Sequence, residues 1–444
     1  MSRGPERLAV VYDMGAASPR EIVRGLSPLG EIVFLVPRSA HTAQVWPILK
    51  QLAPVVALTG RLDLDLPRVR DTAPTAILTF SEGMLQTTAT LAARLGLLFH
   101  DEDTTLVLTD KVHQRQRLRE TGVDDLRTAD LRAADQWDAA VAHVGLPAVV
   151  KPVQGGASRD THLVTDPHTG RTIVRDLFAR APESHIQVEE FLAGTPRGRF
   201  GDYVSVESIA NGNEVTHIAV TGKFPLLAPF RESGRLWPNQ LTAAEERAVA
   251  DLAARTLRAL GVRCGLTHTE IKLTPHGPRV IEVNGRLGGF VHELAQVAGA
   301  PNLITLAGRS ALKHPVDYAS PALDGVYFLH HNLAPTRHCT LVGVFGADRA
   351  RSVPGIDGYR MLMPLGAPLD RGVMTQELDT LWGKAGDHDA LWATFDAALE
   401  ELSFDFRFPD GASRLSAHEL IGMADSPSTT GDTEKYDGRT IWSG

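Results

Sequence analysis

A charged residue set inside an apolar strand needs a partner, and the stretch around residue 280 contains several. Thr269-Glu270-Ile271-Lys272-Leu273 and Val280-Ile281-Glu282-Val283-Asn284-Gly285-Arg286 read as two strands of a hairpin around the turn Thr274-Pro275-His276-Gly277. Side chains two apart on a strand share a face, so Glu282 and Asn284 point one way and Ile281 and Val283 the other. With Glu270 opposite, two carboxylates and an amide oxygen converge, a hard-oxygen set suited to Mg²⁺ bridging nucleotide phosphates. The same spacing also fits a solvated strand face whose charges pair with one another.

The rest of the chain has to supply a frame for that hairpin. Its 444 residues exceed what one core holds and imply two to four packed subdomains. Residues 7–97 alternate short β-rich runs (8–12, 32–36 and 76–80) with helical stretches such as 84–95, the pattern of a parallel α/β sheet. A second unit starts near Asp103, with the basic stretch Lys111 to Glu120 and a helix at 133–144 ahead of the strand 148–152. From Asp202 the pattern changes to long alternating strands joined by Asn211-Gly212-Asn213, an antiparallel hairpin, followed by a helix at 243–260. Residues 325–421 read as a further α/β segment, and the Ser-, Thr-, Gly- and Asp-rich end as a flexible tail.

Charge and composition exclude several classes. A net charge of −8 offers no global field for nucleic acid. Two cysteines, Cys264 and Cys339, are too few for a disulfide framework or a zinc site, which fits a reducing cytoplasm. The first residues carry no apolar export core, and no run of about 18 apolar residues occurs, so a cytoplasmic protein without membrane spans is expected.

Two more motifs suggest nucleotide chemistry. Lys151 closes a hydrophobic strand before Gln154-Gly155-Gly156-Ala157-Ser158, a loop whose N–H groups can form an anion-binding nest. Gln187-Val188-Glu189-Glu190-Phe191-Leu192 is a strand running into a turn, whose exposed backbone can meet an adenine edge, with Asp202 next in line for ribose hydroxyls. Neither a Walker A loop nor a Gly-x-Gly-x-x-Gly after the first strand is present.

Taken in order, Lys111, Lys151, the glycine-rich loop, Glu189-Glu190-Phe191-Leu192, Asp202, Lys223, Glu270, Glu282, Asn284 and Arg286 resemble the ATP-grasp superfamily over residues 1–315. Gly265-Leu266-Thr267-His268-Thr269-Glu270 with Ile281 to Gly289, and Thr221-Gly222-Lys223-Phe224 with Phe230-Arg231-Glu232-Ser233-Gly234, resemble its L-amino acid ligase branch. The resemblance implies a mixed α/β and α+β fold. It has a parallel α/β domain at 1–102, a small lid domain at 103–192 and a larger antiparallel domain with the metal site at 193–324. A C-terminal α/β segment at 325–424 flanks the substrate pocket, and a flexible tail occupies 425–444.

The implied activity is ATP-dependent joining of a carboxylate to an amine through an acyl phosphate, with ADP and phosphate released and amino acids as substrates. The product would be a dipeptide or an amide in a specialised metabolite. Lys111, Lys151 and Lys223 would contact phosphates, under a lid formed by Gly155, Gly156 and Ser158. Glu189, with the backbone of Glu190 and Leu192, would hold adenine, and Asp202 the ribose. Glu270, Glu282 and Asn284 would bind Mg²⁺ or Mn²⁺, Arg286 would neutralise the transferring phosphate, and Glu232 would take a substrate ammonium.

The chain departs from the branch at Arg235, where a histidine is usual, and at Gly285, where a proline is usual. Arginine is always cationic and suits clamping a carboxylate or phosphate, so Arg235 is a candidate substrate contact, as is His268 on the strand face of Glu270. Filling of core or surface is the other reading of His268. Carboxylation, purine-pathway ligation or ATP binding without turnover remain alternatives, and a homodimer is the default assembly for a soluble enzyme of this kind. His330-His331-Asn332 reads as structural, since adjacent strand residues face opposite ways, and the arginines of the run Lys111 to Arg119 read as solvated.

Overall fold

The computed structural model describes residues 5–212, 214–369 and 372–423; the expected tail lies outside them. Parallel strands are covered on both faces and so read as unbroken apolar runs. Arg7–Val11 and Glu31–Val36 do so, forming with Val55–Ala57 and Ala76–Leu78 a four-stranded parallel sheet, Arg7–Val11 lying between Glu31–Val36 and Ala76–Leu78. Its first two helices begin at capping boxes, at Ser18 and Ser39.

The second unit is a four-stranded antiparallel sheet in the order Thr128–Leu131, Ile186–Glu190, Ala148–Pro152, His162–Val164. Helices Trp137–Val144 and Pro167–Arg180 cover it through a core containing Trp137, Val150, Val174 and Ile186. Helix Lys111–Glu120 leads into this unit, capped by Asp110.

The largest sheet has eight strands, all neighbours antiparallel. Gly277–Asn284 is one edge, followed by Cys264–Thr274, Tyr203–Asn211, Glu214–Lys223, Gly234–Trp237, Val326–His330, Asp379–Ala385 and Ile356–Met361. The position 324/325 is therefore not a break in the sheet, because three strands of the C-terminal segment extend it. That segment also builds its own four-stranded sheet under helix His388–Glu401. Among the described residues no helix is long and apolar enough to cross a membrane.

Leu236 and Phe328, from two strands of the large sheet, and Phe224, which follows the strand Glu214–Lys223, pack into one buried cluster with Leu391, Phe395 and Phe404 of the C-terminal segment. Phe328→Ala empties a fully buried site in that cluster and should cost about 3–5 kcal/mol. The loss should appear in calorimetry as a lower melting temperature for one shared transition of the large sheet and the C-terminal segment. Separate melting of the C-terminal segment, with the remainder unmoved, would contradict the shared core.

Candidate functional site

The hairpin register puts Glu270 directly across from Glu282 and His268 across from Asn284. The next strand places Ser205 beside Glu270 and Glu207 beside His268, so one sheet face carries all six side chains. On the opposite face Val283, Val206 and Val204 enter the core. The alternation is interrupted by a bulge after Glu270, where Ile271 pairs with Val280. Ile281, expected in the core with Val283, is therefore displaced and only half-buried, and Val280 fills the core position.

Each acidic group on this face has a cationic or N–H partner. Lys111 Nζ lies 3.1 Å from Glu282 Oε1 and donates to the Gly155 carbonyl at 2.9 Å. Burial opposes the charge on Lys111, but Glu282 and Glu82 outweigh it and raise its pKa. His268 bridges Glu207 (2.7 Å) and Glu270 (3.3 Å). Burial disfavours its charge, but Glu207 and Glu270 outweigh this and raise its pKa; desolvation opposes the charge of the half-buried Glu270 in turn, but His268 holds it below the usual carboxylate range. A Cβ at Gly288 would fall 2.5 Å from the His268 ring, so the glycine makes room for it. Among the described residues no group of three His, Cys, Asp or Glu is placed to hold a metal ion. The donor set is instead two carboxylates and the Asn284 amide, which fits Mg²⁺ when phosphate oxygens complete the shell.

Arg286 donates to Glu82 Oε2 (2.8 Å) and Asn284 Oδ1 (3.2 Å). Glu82 comes from the parallel unit, just beyond the strand Ala76–Leu78, and nothing local in the sequence marks it. At Gly285 a Cβ would lie 2.8 Å from a terminal methyl of Leu108.

The residues expected to meet a nucleotide gather between the sheet of the second unit and the hairpin. Lys151 Nζ meets Glu189 Oε1, and Arg115 Nε meets Glu189 Oε2 at 3.2 Å. Burial pushes Glu189 towards its neutral form, but Lys151 and Arg115 prevail and lower its pKa. Arg115 also donates to the carbonyls of Val280 and Ile281 (2.7 and 2.6 Å), so it is not the solvated arginine expected of a basic helix face. Helical spacing turns it inward beside Gln114 and Leu118. Glu190 pairs with Arg127 at 3.0 Å, and Leu192 follows the strand end. Asp202 Oδ1 accepts from Lys272 (2.6 Å), whereas Oδ2 is buried with no partner among the described residues, an acceptor suited to a ribose hydroxyl.

The glycine-rich loop continues from Gly155 and Gly156 into Ala157, Ser158 and Asp160, all three with left-handed φ. Ser158 Oγ donates to the Phe230 carbonyl (2.7 Å), and the loop exchanges backbone hydrogen bonds with Val373 and Thr375. Across the sheet, Lys223 is fully buried with Nζ 3.0 Å from Glu232 Oε1, and Arg235 pairs with the same carboxylate. Burial would raise the Glu232 pKa, but Arg235 and Lys223 lower it to about 2. Phe290 stacks near His331, ring centroids 4.2 Å apart, and His330 turns away into the Phe224–Phe395 core.

The architecture matches L-amino acid ligase from Bacillus licheniformis with a TM-score of 0.76 at 19% identity, covering 91% of this chain and 99% of that one. The chain has the ATP-grasp fold. In sequence it is similar to the uncharacterized protein y4rH of Sinorhizobium fredii, 29% identical over 300 residues, 66% of this chain and 59% of the relative. It is also similar to alanine–anticapsin ligase of Bacillus subtilis, 27% identical over 231 residues, 48% of this chain and 49% of the relative. The chain thus spans about half the length of the curated relatives it matches. No family model matches it.

Arg115→Met should cost about 3–5 kcal/mol in urea denaturation, since it removes a buried partner of Glu189 and leaves two carbonyls unmet. A loss below about 1 kcal/mol would show that Arg115 does not hold the hairpin to the lid strand.

Proposed function

We propose that this chain is an ATP-dependent carboxylate–amine ligase acting on amino acids in the cytoplasm, releasing ADP and phosphate. One observation carries the reading. A single sheet face bears Glu282, Asn284, Glu270 and His268 at one end, and Lys223 and Arg235 lie two to three strands further on, with Glu232 joined to both. A phosphate-and-cation end and a zwitterion end thus lie along one surface. The similarity to alanine–anticapsin ligase supports amino acid substrates.

In this reading ATP lies between the lid sheet and the hairpin. Leu192 and the backbone at Glu190 meet adenine, and Asp202 Oδ2 accepts from the ribose. Lys111 and Lys151 turn from Glu282 and Glu189 towards the phosphates, and Gly155, Gly156 and Ser158 cover them. Glu270, Glu282 and Asn284 would hold Mg²⁺ or Mn²⁺, which neutralises phosphate charge when bound. Glu232, kept ionised by Lys223 and Arg235, takes the substrate ammonium and so orients its carboxylate towards the γ-phosphate. The carboxylate oxygen attacks the γ-phosphorus and the bond to ADP breaks. The amine nitrogen then attacks the acyl carbon, and phosphate leaves. Arg286, released from Glu82, offsets charge on the transferring group. No side-chain nucleophile is required, because the work is positioning and charge neutralisation.

Glu282→Gln should keep the melting temperature within a few degrees and lower ADP release, assayed with MgATP and paired amino acids, by at least about a hundredfold. Turnover retained within about tenfold of the parent would remove Glu282 from the catalytic set.

A further inference from the structure

Arg235 has more hydrogen-bonding capacity than the protein uses. It is 6% exposed, and its Nη2 pairs with Glu232, yet Nε and Nη1 are buried with no partner among the described residues. Buried guanidinium donors are ordinarily satisfied, so two unmet ones on one side chain indicate a ligand that meets them. Local charge agrees. Lys223 and Arg235 share the one carboxylate of Glu232, and the other carboxylate that Lys223 acts on, Glu270, is already bound by His268. Besides Glu232, two carboxyls lie within electrostatic range of Arg235, Glu293 and Glu377. Glu293 is pushed up to about 7, by burial first, which weakens it as a counter-ion near neutral pH, and burial also raises Glu377. His331 adds no positive charge: burial and then Arg235 lower it to about 3. The Phe290 ring centroid lies 5.9 Å from the guanidinium carbon.

We propose that Arg235 binds a substrate carboxylate other than the one that is phosphorylated, making this a ligase that requires an anionic group on one of its two substrates. The group is either the side-chain carboxylate of a dicarboxylic amino acid or the α-carboxylate of the amine donor. Which carboxylate reacts rests on the ligase reading above; the anion site itself does not.

The test is calorimetric binding to the full chain in the presence of Mg²⁺ and a non-hydrolysable ATP analogue, with parallel ADP assays using ATP. Two ligand pairs are compared, L-aspartate with L-asparagine and L-alanine with L-alaninamide, on the parent, Arg235→Gln and Arg235→Lys. In the parent at least one pair should show the carboxylate bound about ten- to a hundredfold more tightly than its amide. Arg235→Gln should reduce that ratio to about twofold or less. Arg235→Lys, which keeps the charge but not the two-pronged geometry, should fall between and serves as the folded control if the glutamine variant does not fold. The aspartate pair responding identifies a side-chain carboxylate, and the alanine pair an α-carboxylate. No discrimination in the parent, or discrimination that the Arg235 variants leave unchanged, overturns the proposal. Arg235-dependent discrimination without ADP release from any pair would uphold the anion site and remove the ligase reading. ADP release with discrimination independent of Arg235 would do the reverse.

Discussion

Two carboxylates directly opposite each other on neighbouring antiparallel strands repel, and such a pair persists only if its surroundings supply positive charge. Glu270 and Glu282 form that pair, and much of the site can be read as the answer to it. Lys111, at the first turn of its helix, reaches Glu282 and ties the glycine-rich loop through Gly155. His268 reaches Glu270 and passes its other ring nitrogen to Glu207 on the third strand. Arg286 links Asn284 to Glu82 of the parallel unit. A destabilising juxtaposition thereby recruits residues from three units to one place, and the cations that neutralise it are those a triphosphate would draw away. The same logic governs Glu189, which holds Lys151 and Arg115 together beside the hairpin edge.

The substrate end has the opposite imbalance. There two buried cations converge on one carboxylate, and the deficit is of negative charge. A surface with paired carboxylates at one end and two buried cations at the other is polarised along the sheet, from the proposed cation-and-phosphate site to the proposed anion site. This arrangement suits chemistry in which a carboxylate must approach a triphosphate, since like charges are brought together only where fixed opposite charges await them.

Much of this was legible in the sequence because it depends on short periods. Buried parallel strands are continuous apolar runs, hairpins carry turn residues at their tips, and Glu282 and Asn284 two apart share a face whatever the tertiary context. The features that were not legible depend on distant pairing. The bulge that displaces Ile281 arises from the match of two strands and leaves no mark on either. Arg115 looked like one of several solvated helix arginines, and only the packing of its helix against the hairpin buries it. Glu82 belongs to a turn with no chemical signature. That Val326–His330 would continue the sheet from Gly234–Trp237 is a pairing across about ninety residues, beyond any local pattern.

The central claim is that this polarised face transfers a phosphoryl group from ATP to a substrate carboxylate. Its most direct test is isotopic: supply the carboxylate substrate with both oxygens labelled as ¹⁸O, allow turnover with MgATP and an amine, and analyse the released phosphate by mass spectrometry. One labelled oxygen in each phosphate, with ADP as the nucleotide product, is the predicted result. Unlabelled phosphate, or AMP with pyrophosphate, would contradict the account.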